Sequence, residues 1–382
     1  MKIIQSTIRY YPALGGVEEY VKRISEGVAL LGNEVCVFTS DLAQHTQSLT
    51  KLNLGNESLN GVRVIREYTL PFRLRHYSFM PFLPIKMFKE NVDIIHGHCF
   101  MLFPMDVADL IARIKNKPFI FNPYFTQYCP SSFLGRLYRK TFGALAMAAK
   151  VVITISDFEK RLIEKAGYRL KRSEMVSPGV DVNEFDNVKN NIYERYSVKG
   201  KKIVLFAGRI DRNKGIDVLI KAARIVIRKF PEVIFFVAGA DFGELENLKA
   251  LISEYGLERY FIFSGPLSRS NLVSAFKYAD IFAFPSRYEA FGIALIEAMA
   301  AKIAVVASNS SAIPFVIKHG ETGLLFPLDD SQIFAEQLIY LLQNDKARSE
   351  LAESGYEDTV KRFTWDSAVT KINAIYNDLI RG

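Results

Sequence analysis

The chain has 382 residues, 49% of them apolar, with 49 Lys and Arg against 41 Asp and Glu and a net charge of +8. That length exceeds what one hydrophobic core usually organises and implies two α/β domains of roughly 200 residues or fewer each. Its three cysteines, Cys36, Cys99 and Cys129, have no paired spacing and no ligand set nearby, which argues against a disulfide framework or a zinc site and points to a reducing compartment.

The opening MKIIQSTIRYYPALGG reads as a strand over 2–6 running into a glycine turn. It lacks the apolar core and small-residue cleavage site of a secretory leader, so no leader is expected to be removed. Pro12 to Glu18, with the pair Gly15-Gly16, opens the helix VEEYVKRISEGVALLG. Paired glycines at a helix start allow close backbone approach, a place for phosphate or sugar, and serve equally as a plain strand-to-helix turn. The full G-x-G-x-x-G fingerprint is missing, which disfavours a nicotinamide dehydrogenase.

Strand-like apolar runs follow at 34–40, 62–65, 92–96, 119–122 and 151–155, as in a parallel sheet covered on both faces. His96 ends the run VDIIH and His98 follows Gly97, so at least one imidazole is expected to point into a crevice at the strand ends. Such a ring suits a sugar hydroxyl or a loop cap, whereas a metal role lacks a third ligand. No stretch reaches the roughly 18 uninterrupted apolar residues of a membrane span.

The pattern restarts with runs at 202–208, 233–239, 260–265, 279–285 and 302–308, so a second doubly wound sheet is expected. The join falls within VSPGVDVNEFDNVKNN at 176–191, where Pro, Gly, Asp and Asn cluster. After the first strand of this half comes GRIDRNKG at 208–215, which sets Arg209 and Lys214 at a strand end, where such sheets bind ligands. Two fixed cations there would stabilise the charge growing on a departing diphosphate. A solvated helix-start cluster is the plainer alternative.

The run ADIFAFP at 279–285 leads into EAFGIALIE, Glu289 to Glu297, which opens a helix through Ala301. Free N–H groups of Phe291, Gly292 and Ile293 at the positive end of the helix dipole suit a phosphate oxygen. Glu297, about one and a half turns in, would reach ribose hydroxyls, and Glu289 in the loop would face the sugar. Taken without that context, the two glutamates read as a solvated loop residue and a helix-face residue.

Together these stretches resemble the retaining glycosyltransferases of the glycogen-synthase and mannosyltransferase-like group called family four, which share the GT-B fold. The resemblance runs through Gly15-Gly16-Val17-Glu18, DIIHGH at 93–98, ITISDFEK at 153–160, SPGVDVNEF at 177–185, GRIDRNKG at 208–215 and EAFGIALIEAMA at 289–300. HGETGLLFP at 319–327 is similar to the family's glycine turn before its last strand. Implied is an α/β chain of two doubly wound Rossmann-like domains facing a central crevice. The acceptor-side domain would cover 1–180 and the nucleotide-sugar domain 181–361, with a C-terminal helix at 362–382 packing back on the first.

The resemblance further implies that Arg209 and Lys214 bind the donor diphosphate, Glu289 the donor sugar and Glu297 the ribose. Phe291, Gly292 and Ile293 would offer backbone donors, Gly15 and Gly16 would approach the diphosphate, and His96 would contact the sugar. Glu289, His96, Arg209 and Lys214 form the expected catalytic set. Similar proteins generally need neither metal nor cofactor, and a UDP or GDP sugar is the expected donor. Because no second carboxylate is left to flank the bond as in a glycosidase, a same-face reaction is favoured, in which the departing phosphate helps deprotonate the acceptor hydroxyl.

Residues 1–180 hold 24 Lys and Arg against 15 Asp and Glu, while 181–382 hold 25 against 26. The excess charge therefore sits in the first half and suggests an anionic partner. Two stretches there, 70–89 and 124–150, interleave basic and aromatic residues, as surfaces in a lipid interface do. The expectation is a cytoplasmic enzyme that contacts the cytoplasmic membrane face and glycosylates a lipid-linked or cell-envelope acceptor; core aromatics beside solvated cations are the alternative. A nucleotide-sugar epimerase or hydrolase of the same fold is the nearest rival. A nucleic-acid binder is more remote, since no recognised nucleic-acid module appears.

Overall fold

The computed structural model describes residues 1–381 except 14, 44–50, 71, 72, 75, 76, 128–131, 187, 189 and 199. Cys129, parts of both basic-aromatic stretches and two positions of the expected join thus lie outside the described residues. The chain divides into two compact units, unit 1 comprising Met1–Pro178 with Trp365–Gly382, and unit 2 comprising Gly179–Thr364.

Unit 1 begins β1 (Lys2–Ser6), α1 (Gly16–Leu30), β2 (Glu34–Ser40), β3 (Gly55–Leu59) and β4 (Val62–Glu67). A short pair, β5 (Arg73–Leu74) and β6 (Tyr77–Ser78), precedes α2 (Leu83–Lys89), β7 (Ile94–His98), α3 (Phe103–Ile114) and β8 (Phe119–Asn122). Then come α4 (Phe133–Lys140), α5 (Phe142–Met147), β9 (Val151–Thr154), α6 (Asp157–Lys165) and β10 (Ser173–Met175). The sheet order is β10-β9-β8-β7-β1-β2-β4-β3, parallel except for the edge strand β3.

Because successive side chains of a strand point to opposite faces, the apolar runs feed two cores. Ile4, Phe38, Ile95 and Phe121 pack with Leu83, Met105, Met147 and Ile163 on the face covered by α2, α3, α5 and α6. Ile3, Val37, Ile94 and Ile120 pack on the other face with Tyr20 and Ile24 of α1 and with Ile372 and Tyr376 of the C-terminal helix. That helix approaches α1 so closely that a Cβ at Gly27 would collide with Val369.

Unit 2 runs β11 (Ile203–Ala207), α7 (Ile216–Val226), β12 (Ile234–Ala238), α8 (Leu245–Glu254), β13 (Phe261–Gly265) and α9 (Arg269–Lys277). It continues with β14 (Ile281–Phe284), α10 (Ile293–Ala300), β15 (Ala304–Ser308), α11 (Ile313–Val316) and β16 (Leu324–Phe326). Helices α12 (Ser331–Gln343) and α13 (Asp345–Arg362) complete it, and α14 (Trp365–Arg381) is the C-terminal helix of unit 1. Its six parallel strands are ordered β13-β12-β11-β14-β15-β16. The strand order reverses between β11 and β14, the switch point outside whose strand ends sheets of this kind bind ligands. Stacked Phe206, Phe282 and Phe284, all buried, fix the two strands beneath it. Burial of each such ring stabilises the sheet by about 1.5–3 kcal/mol.

Two doubly wound α/β units match the expected fold class. Strands β3 and β10 were not anticipated, and β7 ends at His98 rather than at His96. Among the described residues no helix is long and apolar enough to cross a membrane.

Candidate functional site

In unit 2 the loops after β11 and β14 are stitched together by backbone and side-chain contacts. Asp211 accepts from Asn213 N–H at 2.9 Å and shapes the turn that carries Arg212–Lys214. The Asn213 carbonyl accepts from Arg287 N–H at 2.6 Å and from Ser286 Oγ at 3.3 Å. Arg287 then donates to the Arg212 carbonyl at 2.7 Å and forks onto Asp217 at 2.9 and 2.8 Å. Gly215 has φ 67°, and a side chain there would collide with the Pro285 carbonyl, so the two loops meet at a position only glycine fills easily.

This stitching brings Lys214 and Glu289 together. Lys214 Nζ is paired with Glu289 Oε1, which also accepts from Ser286 Oγ at 2.8 Å. Their side chains are only 12% and 13% exposed, so this pair is screened far less than a surface one. Arg209 differs: its side chain is 59% exposed, 3.5 Å from Asp211 Oδ2 and over the Phe242 ring. One cation is thus held in place and the other reaches outward.

The loop after β14 ends at Gly292, whose φ of 96° turns the chain into α10 without a side-chain cap. Among the described residues the N–H groups of Phe291, Gly292 and Ile293 have no hydrogen-bond acceptor. Phe291 is buried with its ring 5.5 Å from that of Phe363, which anchors this uncapped terminus. A helix start of this kind attracts an anion through its N–H groups and dipole. Further into α10, Glu297 pairs with Arg269, whose other Nη binds Glu184. Burial works against the Arg269 charge, but the two carboxylates more than offset this and hold its pKa above the ordinary value.

Sequence reasoning had singled out Arg209, Lys214, Glu289, Phe291, Gly292, Ile293 and Glu297, and all seven lie in unit 2 on these two loops and on α10. It missed Ser286, Arg287 and Arg269, which position them. A run of polar residues between strand and helix, Ser286-Arg287-Tyr288, was the available signal for the first two. Nothing local marked Arg269 as the partner of a glutamate 28 residues away.

Gly15 and Gly16 lie in unit 1 at the start of α1, on the loop that leaves β1. Arg9 Nη2 pairs with Glu18 Oε1 at 2.6 Å, and the Glu18 carboxylate occupies the space a Cβ at Gly15 would need.

His96 lies elsewhere than expected. β7 continues to His98, so His96 is a strand-interior residue, paired in register with Gln5 and Ile120, and it is fully buried. Asn122 Nδ2 donates to the Ile153 carbonyl at 3.1 Å, which turns its Oδ1 toward His96 Nε2 at 2.7 Å. Nε2 is therefore the donor, and Nδ1 accepts from Tyr376 OH at 2.7 Å. Tyr376 OH accepts in turn from Gln5 Nε2 at 2.9 Å, while Gln5 Oε1 accepts from His98 Nε2 at 2.7 Å. Tyr124 OH closes the chain on His98 Nδ1 at 3.3 Å. Both nitrogens of both rings are committed. Burial lowers the His96 pKa to about 4 and that of His98 well below the usual value, so both imidazoles are neutral near pH 7.

Beyond the end of β7, Asp106 in the first turn of α3 accepts from Tyr77 OH and Tyr138 OH, each at 2.6 Å. Burial raises its pKa to about 6, against the lowering effect of the two phenols. Among the described residues no three His, Cys, Asp or Glu side chains gather as a metal site would require.

Residues 14–184 match the family described as "Glycosyltransferase Family 4", and residues 188–358 match "Glycosyl transferases group 1". One curated relative is a D-inositol 3-phosphate glycosyltransferase of Corynebacterium urealyticum, 26% identical over 389 residues, covering 96% of this chain and 91% of the relative. A phosphatidyl-myo-inositol mannosyltransferase of Mycobacterium tuberculosis is 33% identical over 239 residues, covering 60% of each chain. Among solved structures, sucrose-phosphate synthase from Thermosynechococcus elongatus superposes with a TM-score of 0.80 at 21% identity, over 100% of this chain and 99% of its own. Anabaena HepE, solved in complex with UDP and glucose, gives 0.78 at 19% identity, over 99% and 100%.

Proposed function

The chain belongs to the GT-B glycosyltransferases of group 1 and family 4, and from that premise we propose that it moves a hexosyl unit from a nucleotide-diphosphate sugar to an acceptor hydroxyl with retention of configuration. The observation that carries this reading is the held pair Lys214–Glu289 beside the uncapped start of α10, at the strand-order reversal of unit 2. In it the N–H groups of Phe291, Gly292 and Ile293 hold the diphosphate together with Lys214 and the outward-reaching Arg209. Glu289 takes donor-sugar hydroxyls and Glu297 the ribose.

The bond from the anomeric carbon to the diphosphate oxygen breaks, and its electron pair leaves with the phosphate. The acceptor oxygen bonds to the same face of that carbon, and its proton passes to the departing phosphate oxygen. The charge gathering on the phosphate meets Lys214, Arg209 and the α10 terminus, a fixed set in which one well-placed donor is worth about 10²–10³ in rate. No metal is assigned a step. The buried network supports a positioning duty for His96, which holds β7 and α14 together rather than touching sugar.

The UDP bound to HepE supports a UDP or GDP donor, and the inositol-phosphate and phosphatidylinositol acceptors named for the relatives support an anionic polyol or lipid-linked acceptor. With the positive first half, these favour a cytoplasmic enzyme working at an anionic membrane face. The test is thermal shift without added metal, with UDP, GDP, ADP and their sugar conjugates, on wild type and Glu297→Ala. Stabilisation by one nucleotide diphosphate, weakened in the variant, is expected. If no nucleotide raises the melting temperature at millimolar concentration, the donor site is misassigned. NMR of the product's anomeric configuration then decides retention.

A further inference from the structure

We propose that the outward face of the α4–α5 hairpin in unit 1 is a docking surface for an anionic lipid bilayer. The inference rests on the membrane reading above and deepens it by naming the surface. The inner side of the hairpin is fixed: Tyr138 OH donates to Asp106, Gly143 lies where any Cβ would press on the Phe100 ring, and Ala146 and Met147 belong to the core. Its outer side presents Phe133, Leu134, Leu137, Phe142 and Leu145 to solvent, Phe133 at 70% and Leu134 at 61% exposure. Five large apolar side chains bared within 15 residues make a patch of the kind that marks an interaction site.

The charges on the same hairpin identify the partner. Arg136 and Lys140 are exposed among the apolar side chains. From residue 110 to residue 156 the sequence has seven Lys and Arg and no Asp or Glu. A second copy of this face would bring like charges together, whereas a bilayer offers acyl depth to the apolar side chains and phosphates to the cations. The surface also extends laterally. Arg113 Nη2 donates to the Leu145 carbonyl at 2.7 Å and ties α5 to α3, where Leu110 and Ile114 are likewise exposed.

The full chain is sedimented with vesicles of phosphatidylcholine alone and of phosphatidylcholine mixed with phosphatidylglycerol, as wild type, as Phe133→Ser/Leu137→Ser and as Arg136→Gln/Lys140→Gln. Wild type is expected to bind the mixed vesicles and to lose binding in high salt. Each double variant should bind at least roughly tenfold more weakly, the scale set by two side chains at an interface. An unchanged nucleotide thermal shift and unfolding midpoint show that the variants fold. Wild-type binding to mixed vesicles that the variants retain in full overturns this surface but leaves the membrane reading standing. Absence of wild-type binding overturns both. A change of oligomeric state in the variants, with vesicle binding intact, assigns the face to a protein partner and also overturns the proposal.

Discussion

Replacing Tyr376 by phenylalanine removes one oxygen from the middle of the unit 1 network and leaves the ring packing in place. Two groups lose a partner: Gln5 Nε2, whose acceptor was 2.9 Å away, and His96 Nδ1, whose donor was 2.7 Å away. Gln5, His96 and Tyr376 are all fully buried, so water does not substitute without opening the helix–sheet interface. Each orphaned polar group costs about 1–3 kcal/mol, partly offset because one hydroxyl need no longer be desolvated, and the net is about 2–4 kcal/mol. Trp365 is the sole tryptophan of the chain and packs 6.1 Å from Tyr20 at the foot of α14, so its fluorescence reports unfolding of unit 1. The expected result is a urea midpoint lowered in that signal, with the nucleotide binding proposed for unit 2 unaltered. An unfolding free energy within about 0.5 kcal/mol of wild type would refute the deduced chain of donors and acceptors, and with it the positioning duty of His96.

The same network sets a pH dependence. Burial lowers the His96 pKa from 6.5 to about 4, so between those values the unfolded chain binds the proton that the folded one refuses. The stability His96 contributes is present above pH 6.5 and is lost as the pH falls toward 4, in all about 3 kcal/mol. Glu159 and Asp106, raised by burial to about 7 and about 6, act in the opposite direction over part of that range, so the wild-type curve alone is flattened. The quantity to measure is the stability difference between wild type and His96→Gln, which should move by that amount toward the variant from pH 7 to pH 4; a constant difference contradicts the neutral buried imidazole. In unit 2, Gly239→Ala would drive a Cβ into the Gly208 carbonyl, backbone against backbone, at a φ of 152°. A loss of about 3 kcal/mol or more is expected, together with weaker nucleotide binding, because Gly208 leads directly into Arg209. A variant that keeps both wild-type stability and affinity would show that the two loops do not need this close approach.

What was legible in the sequence follows from which interactions are local. Apolar runs such as KIVLFAG and ADIFAFP announce themselves because both faces of a central parallel strand are buried, and β11 and β14 lie inside them. β3, with sequence GNESL, is an exposed edge strand that among the described residues pairs with β4 alone, so its order rests on backbone hydrogen bonds that leave no apolar pattern. The seven unit 2 positions were readable because an uncapped helix start and a cation at a strand end are properties of a few contiguous residues. Their supports were not, since the Arg269–Glu297 pair and the Arg287 fork onto Asp217 join elements far apart in the chain.

His96 shows how a two-residue difference in strand length changes a role. Ending the strand at His96 exposes the ring at the sheet's edge; ending it at His98, as β7 does, sets the ring one alternation deeper, where α14 covers it. The corrective signal was present in the first strand. KIIQS carries a glutamine in an otherwise apolar run, and a polar side chain on a central strand of a sheet covered on both faces must find buried partners. Gln5 faces the neighbouring strand that holds both histidines, so a glutamine in register with His96 and one alternation from His98 already amounts to most of a network. The missing member, Tyr376, lies 280 residues from His96, and only folding α14 back onto unit 1 supplies it. A sheet of this design thus ties its C-terminal helix to its centre by hydrogen bonds as well as by packing. Apolar surface holds a helix with little preference for register, whereas a hydroxyl that must both accept from Gln5 and donate to His96 is satisfied in one register alone.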